Sequence, residues 1–63
     1  MGYRIKEIRE SQKMTQEELA EKSGVSRTTI SNLENGTERT TMLSTLMKLA
    51  SALETTVDSL FLH

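Results

Sequence analysis

Hydrogen-bonding side chains recur at helical spacing between Arg27 and Asn35. At about 100° per residue they fall on one continuous arc that holds no carboxylate, and its members are Arg27, Thr28, Ser31, Asn32 and Asn35. Thr29, Ile30 and Leu33 fall on the opposite arc. Hydroxyl, amide and guanidinium groups are the side chains that read base edges in a DNA groove. The spacing therefore favours binding to double-stranded DNA over catalysis.

Two short helices joined at a glycine are predicted to position this polar face. Thr15 and Glu18 have the spacing of a capping box, so we expect a helix to begin here. It should end near Gly24, because glycine adopts the left-handed conformation without a steric cost. Ser26 is the expected N-cap of the next helix, which spans about residues 27–35 and carries the polar face.

Apolar residues at helical spacing predict two further helices that pack against this pair. The first spans about residues 3–13 and places Ile5 and Ile8 on its inner side. The fourth follows Thr41, its expected N-cap. Its apolar positions are Leu43, Leu46, Leu49, Ala50 and Leu53, with Met42 and Met47 at the margins.

The end of the chain predicts a short fifth helix, capped by Thr55 or Thr56. Its apolar residues share one side and are Val57, Leu60 and Phe61. No stretch shows the pattern of a strand. The expected fold is therefore all-α, with five helices in a single compact domain that covers residues 1–63.

Size and composition exclude several classes of function. A chain of 63 residues buries only about 60% of its unfolded surface, so we expect no deep catalytic cleft and no enzyme. There is no cysteine, and His63 is the single histidine, so we expect no metal site and no cofactor. No apolar run reaches the length of a membrane span, which predicts a cytoplasmic protein without a membrane partner. No small-molecule ligand is evident.

Charge is distributed unevenly along the chain, although its formal net value is only −1. Acidic residues gather on the first two helices, at Glu7, Glu10, Glu17, Glu18 and Glu21. Residues 22–33 contain Lys22 and Arg27 and no acid. The predicted polar face is thus locally positive, which suits contact with a phosphate backbone.

Several residues match a known family by identity and spacing. They are Thr15-Gln16, Leu19-Ala20, Gly24-Val25-Ser26, Ile30, Leu33-Glu34-Asn35-Gly36, Leu46, Leu49-Ala50, Ala52-Leu53, Asp58 and Leu60-Phe61. On these positions the chain resembles the helix-turn-helix domain shared by lambdoid phage repressors, Cro proteins and many small bacterial regulators. The resemblance implies a repressor-like fold, with helices 2 and 3 as the helix-turn-helix. It also implies a dimeric transcription regulator that docks its third helix in the major groove.

The resemblance implies roles for individual residues, position by position. Those that look like base-reading residues are Arg27, Thr28, Ser31 and Asn32. Those at positions that meet phosphate are Thr15, Gln16, Asn35, Thr37 and Arg39. Arg9 and Glu34 occupy positions that form an ion pair in some of these domains. The chain departs from the family pattern at Glu38, in a loop that often carries lysines, and at Glu54, where similar chains usually carry glycine.

Leu60, Phe61 and Leu62 are three consecutive large apolar residues. Neighbours on a helix lie about 100° apart, so these side chains cannot all point into one small core. We expect at least one to be exposed in a monomer and to form a homodimer interface. The alternative is that Leu62 frays at the chain end.

Two functions from different classes remain open. The first, which we predict, is a homodimeric, sequence-specific regulator that acts as a repressor and binds an inverted-repeat DNA operator. The second is a helix-turn-helix-shaped protein-interaction module with weak DNA binding, such as an antitoxin or a polymerase-binding adaptor. The acidic first two helices and the low net charge favour the second function.

Overall fold

Helices account for most of the chain in the computed structural model, which describes residues 3–38 and 40–61. Within these residues there are four α-helices and one short 3₁₀ helix. Their bounds are α1 Ile5–Ser11, α2 Gln16–Ser23, α3 Arg27–Asn35, α4 Leu43–Ala52 and the 3₁₀ helix Asp58–Leu60. None of the described helices is long and apolar enough to cross a membrane. The all-α prediction is confirmed.

Local side-chain chemistry sets the ends of the two central helices. The Thr15 hydroxyl accepts from the Glu18 N–H at 3.0 Å, and the Glu18 carboxylate accepts from the Thr15 N–H at 2.9 Å. Gly24 ends α2 with φ +75°, and the Ser26 hydroxyl caps α3 by accepting from the Thr29 N–H at 3.2 Å. These contacts confirm the predicted capping box, glycine turn and N-cap.

The core lies between the helix-turn-helix pair and the two helices that support it. α2 packs against α3 and α4, while α1 packs against α3. The side chains with less than 2% exposure are Ile5, Leu19, Ile30, Leu33, Leu49, Leu53 and Leu60. Val25, in the turn between α2 and α3, is buried in the same cluster. Packing against α4 and α1 therefore holds α2 and α3 in place.

The two ends of the described chain meet. The Arg4 N–H donates to the Leu60 carbonyl at 2.6 Å, and Tyr3 and Phe61 form an isolated antiparallel bridge. The rings of Tyr3 and Phe61 lie 5.5 Å apart. The C-terminal stretch is thereby held against the start of α1.

The predicted short fifth helix is not confirmed as an α-helix. Its place is taken by the 3₁₀ helix, in which the N–H groups of Ser59, Leu60 and Phe61 each donate to the carbonyl three residues earlier. The Thr56 hydroxyl accepts from the Ser59 N–H at 3.2 Å. Phe61 leaves the helix in an extended conformation, so the segment is too short for successive α-helical bonds and closes as a tighter turn.

The start of α4 also differs from the prediction. Met42, not Thr41, is the N-cap residue, and no side chain caps this helix. Leu43 is 63% exposed, although its spacing predicted an inward position, and Leu46 is the first buried residue of α4. The first turn of α4 therefore extends beyond the core.

Two residues other than glycine adopt left-handed backbone conformations. Lys13 has φ +56°, which ends α1 earlier than the predicted residue 13 and turns the chain toward α2. Glu54, which follows α4, has φ +55°. The family resemblance implied glycine at the position of Glu54, and glycine would adopt this conformation without a steric cost.

Candidate nucleic-acid interface

The exposed face of α3 carries the four residues predicted to read bases. Arg27 and Thr28 are exposed, and Ser31 and Asn32 are half-buried. None of these four side chains forms a hydrogen bond or ion pair with another described residue. On the opposite side of α3, Ile30 and Leu33 are buried. The packing of α3 thus leaves four adjacent polar side chains available to an external partner.

The one acid of α3, Glu34, is engaged inside the protein. The Arg9 Nε donates to Glu34 Oε2 at 2.7 Å, and Arg9 Nη2 donates to Oε1 at 3.1 Å. Only 9% of the Arg9 side chain and 4% of the Glu34 side chain are exposed. The hydrogen bond that Arg9 donates to Glu34 raises the pKa of Arg9 above its ordinary value, against the opposing effect of burial. The family resemblance implied this pair, and the structure contains it in a bidentate form.

Two further groups complete the polar network around Glu34. Arg9 Nη1 donates to the Met14 carbonyl at 2.7 Å, in the loop between α1 and α2. The Gln16 amide, at the start of α2, donates to Glu34 Oε1 at 2.9 Å. The network therefore joins α1, the α1–α2 loop, α2 and the end of α3, and it fixes the two motif helices relative to each other.

The residues predicted to meet phosphate are partly engaged within the chain. Gln16 uses one amide hydrogen for Glu34, and the Thr15 hydroxyl accepts in the capping box. Asn35 Oδ1 accepts from the Thr37 N–H at 2.9 Å, which leaves the Asn35 amide group as a donor. Thr37 is exposed, and Arg39 lies outside the described residues.

A polar notch of about 240 Å³ lies beside the exposed face of α3. Its lining residues come from α1, α2 and α3, and they are Lys6, Arg9, Gln16, Ser31, Glu34 and Asn35. The notch brings together Gln16, Ser31 and Asn35, which the sequence had assigned to phosphate or base contact. Lys6 was missed, although its spacing of three residues before Arg9 places both on neighbouring positions of α1.

The apolar residues predicted to form a homodimer interface are only partly accessible. Leu60 has no exposed surface, because it belongs to the core, so its assignment to the interface is wrong. Phe61 is half-buried against Tyr3, and Leu62 lies outside the described residues. Large apolar side chains are instead exposed at α4, where Met42 is 71%, Leu43 63% and Met47 57% exposed.

Comparison with known proteins finds similarity over nearly the whole described region. A family model described as helix-turn-helix matches residues 5–60. An uncharacterized HTH-type transcriptional regulator of Bacillus subtilis strain 168, RghRB, is 39% identical over 59 residues, which cover 94% of this chain and 42% of that protein. The antitoxin HipB of Escherichia coli K12 is 44% identical over 50 residues, which cover 79% of this chain and 56% of that protein. The chain thus spans about half the length of these curated relatives.

Proposed function

We propose that this chain, which belongs to the Cro/C1-type helix-turn-helix family of DNA-binding transcription regulators, binds a specific double-stranded operator in the cytoplasm and acts there as a repressor. The exposed face of α3 carries this proposal. It presents four polar side chains without partners among the described residues, while its one acid is paired with Arg9. The similar Bacillus subtilis protein is named a transcriptional regulator, which supports the same role here.

In this proposal α3 lies in the major groove and reads base edges. The Arg27 guanidinium can bind O6 and N7 of a guanine with two hydrogen bonds, and the Asn32 amide can bind N6 and N7 of an adenine. The hydroxyls of Thr28 and Ser31 can donate or accept at neighbouring bases. These contacts would supply specificity.

Backbone contacts would set the position of α3 on the duplex. The residues that we assign to phosphate are Thr15, Gln16, Asn35, Thr37 and Arg39. Thr15 and Gln16 lie at the N-terminal end of α2, where the helix dipole favours an anion. Such contacts carry no sequence information, and they weaken steeply as salt concentration rises.

We further propose that the working unit is a homodimer on an inverted-repeat operator. The exposed apolar residues Met42, Leu43 and Met47 are the best-supported contact surface. Leu43 and Met47 are four residues apart and so lie on one face of α4. Lys48 is the one charged residue of α4, so a second copy would bury little charge there. Phe61 and Leu62 stay a predicted second contact.

Selection of bound duplexes from a random pool tests this function directly. The expected result is an inverted repeat whose half-site centres lie about 34 Å apart, one turn of the double helix. Arg27→Ala and Asn32→Ala should each lose roughly 1–3 kcal/mol of binding at their own base pair without unfolding the domain. The matched control Ser11→Ala changes an exposed polar residue at the end of α1, outside both the exposed face of α3 and the proposed contact on α4. Equal weakening on selected and random duplexes would reduce Arg27 and Asn32 to backbone contacts.

A protein-interaction module is the second candidate function. The relative named antitoxin HipB supports it, as do the exposed acidic residues of α1 and α2, which are Glu7, Glu10, Glu17, Glu18 and Glu21. A steep salt dependence of duplex binding separates the two functions, because phosphate neutralisation releases counterions. The second function would be favoured if the chain bound a partner protein tightly and did not bind duplex DNA.

A further inference from the structure

We propose that Asn35 and Gly36 form a self-modification site, at which Asn35 loses its side-chain amide and becomes an acidic residue that weakens binding to DNA. The effect on binding rests on the proposed function, which assigns Asn35 to a phosphate contact. The reaction itself needs only water and the chain, so it can be tested without DNA. Asn35 is the exposed last residue of α3, and Gly36 follows it in a left-handed conformation with φ +82°.

The reaction closes and then opens a succinimide ring. The Gly36 backbone nitrogen attacks Cγ of Asn35 and the Cγ–Nδ2 bond breaks. Nδ2 leaves as ammonia after taking up the proton that the Gly36 nitrogen loses. Water then adds to either carbonyl carbon of the ring, and the bond from that carbon to the Gly36 nitrogen breaks. Opening at Cγ gives aspartate, while opening at the main-chain carbonyl gives isoaspartate, whose backbone runs through Cγ.

The attacking nitrogen is accessible in the folded protein. The Gly36 N–H has no acceptor among the described residues. An α-helical bond from Gly36 would use the Asn32 carbonyl, which accepts instead from the Glu38 N–H at 3.0 Å. Gly36 is exposed, and no atom beyond its chain neighbours lies within 4 Å of the position that a Cβ atom would occupy. No side chain therefore separates the Gly36 nitrogen from Asn35.

The Asn35 side chain is held in a position that suits this attack. Its Oδ1 accepts from the Thr37 N–H at 2.9 Å, which turns the side chain back toward the peptide group between Asn35 and Gly36. Oδ1 gains negative charge when the Gly36 nitrogen adds to Cγ, and the Thr37 N–H is a donor placed to stabilise that charge. The Nδ2 group has no partner in the described chain, so no internal hydrogen bond opposes its departure.

Either product places a carboxylate where α3 meets the DNA backbone in the proposed complex. The protein would lose the Asn35 amide as a donor and gain a like charge beside phosphate. Arg9 cannot neutralise the new charge, because it is already paired with Glu34. We expect affinity to fall by about tenfold or more for each bound subunit, on selected and random duplexes alike. Because ammonia is lost, the protein would lose DNA binding irreversibly with age.

The test uses Asn32, the other asparagine of the sequence, as a control within the chain. The residue after Asn32 is Leu33, which lies inside α3 and is 1% exposed. The parent protein is incubated at mildly alkaline pH, both folded and unfolded in urea, and mass spectrometry of its peptides follows each asparagine. A methyltransferase specific for isoaspartate identifies that product. In the folded protein Asn35 should convert at a rate comparable with that in urea, while Asn32 stays intact.

Two variants connect the reaction to DNA binding. Asn35→Gln keeps a side-chain amide but would have to close a larger ring, so its affinity for the selected operator should not change during the incubation. Asn35→Asp reproduces one product from the start, so it should bind selected and random duplexes about tenfold or more weakly than the fresh parent protein. Thermal unfolding checks that both variants remain folded.

The possible outcomes separate this site from the proposed function. If folding protects Asn35 as fully as Asn32, there is no self-modification site. If Asn35 converts but Asn35→Asp binds the operator as tightly as the parent protein, the effect on binding is wrong while the proposed function stands. If Asn35 converts but the fresh parent protein does not bind duplex DNA, the proposed function and the effect on binding are overturned together, and the mass measurements still support the modification site.

Discussion

At the scale of single residues, the position of Glu34 decides whether α3 can approach DNA. An exposed carboxylate at the end of this helix would repel phosphate, but the bidentate pair with Arg9 keeps it buried and neutralised. The same carboxylate holds Gln16 at the start of α2. One ion pair thus removes an unfavourable charge and fixes the two motif helices.

Removal of Arg9 should therefore be far more damaging than removal of an exposed arginine. We expect Arg9→Ala to cost about 3–5 kcal/mol, because it leaves the Glu34 charge buried without a partner. A chain of this length has roughly 3–9 kcal/mol of stability in all. Urea unfolding should accordingly show that Arg9→Ala has lost a large part of the free energy of unfolding, with its midpoint at a much lower urea concentration than that of the parent protein.

Arg4 provides the matched control for this prediction. It pairs with Glu7 at 2.8 Å, but 41% and 64% of the two side chains are exposed, so Arg4→Ala should cost less than about 1 kcal/mol. A double-mutant cycle of Arg9→Ala with Glu34→Gln should show strong coupling. If Arg9→Ala and Arg4→Ala lowered the free energy of unfolding equally, the buried pair would contribute no more stability than the exposed one.

Glu54 carries a Cβ atom although its backbone adopts a left-handed conformation. A left-handed conformation costs a residue with a Cβ atom roughly 1–2 kcal/mol, while glycine adopts it freely but loses more entropy on folding. Glu54→Gly should therefore raise the free energy of unfolding by up to about 1 kcal/mol, measured by urea unfolding. Glu54→Ala removes the same charge but keeps the Cβ atom, so it should give no gain. A gain with alanine as well would point to charge as the cause.

At the scale of helices, local chemistry explains which parts of the fold could be predicted. The capping box, Gly24 and Ser26 act over three or four residues, and these predictions are confirmed. The exposure of Leu43 depends on where the core ends, which no spacing within α4 reveals. Gln16 and Glu34 are 18 residues apart in the sequence. Their hydrogen bond forms only where three helices meet, so no local sequence pattern could predict it. The notch and Lys6 escaped prediction for the same reason.

The capping box of α2 also predicts how stability changes with pH. Hydrogen bonds from Thr15 hold the pKa of Glu18 below its ordinary value. Glu18 therefore contributes stability above the unfolded-state pKa of about 4.3, and the contribution is lost as pH falls through the lower folded-state pKa. Glu18→Gln keeps a capping side chain but cannot be protonated. The parent protein should be the more stable of the two at pH 7, and the gap should close in acid.

Exposed Glu17, on the same turn of α2, is the control for this pH dependence. Its side chain takes no part in the capping box, so Glu17→Gln should leave the acid dependence close to that of the parent protein. Urea unfolding at a series of pH values measures all three proteins. The proposed linkage would be contradicted if the difference in free energy of unfolding between the parent protein and Glu18→Gln stayed the same in strong acid.

At the scale of the whole molecule, size relates the fold to the spacing of an inverted repeat. The Cα atoms span 24 × 20 × 19 Å. Two copies centred about 34 Å apart, with their long axes along the DNA, leave about 10 Å between their Cα envelopes. Packed helix axes lie about 8–10 Å apart and each Cα cylinder has a radius of about 2.3 Å, so closely packed helices leave only about 3–5 Å between their Cα envelopes. At the wider gap the two copies would touch through the ends of long side chains. Such an interface is small, which fits a dimer that is weak in solution and completed on the operator.

Exposed apolar residues of α4 should therefore determine binding to the full operator more than binding to half of it. Leu43→Glu places a carboxylate in the proposed contact and should lower affinity for the full inverted repeat by a large factor, while affinity for an isolated half-site changes little. The exposed position of Leu43 means that the variant should fold normally. Leu62→Glu tests the C-terminal contact in the same assay. Ser44→Glu, an exposed neighbour in the same helix turn, controls for added charge.

Analytical ultracentrifugation with full and half operators completes this test. The parent protein should bind the full operator with two copies, and Leu43→Glu should show loss of cooperativity between them. If Leu62→Glu alone abolishes that cooperativity, the interface lies at the C-terminal end and not at α4. One copy bound per full operator would overturn the homodimer itself, because a single α3 then reads the whole site.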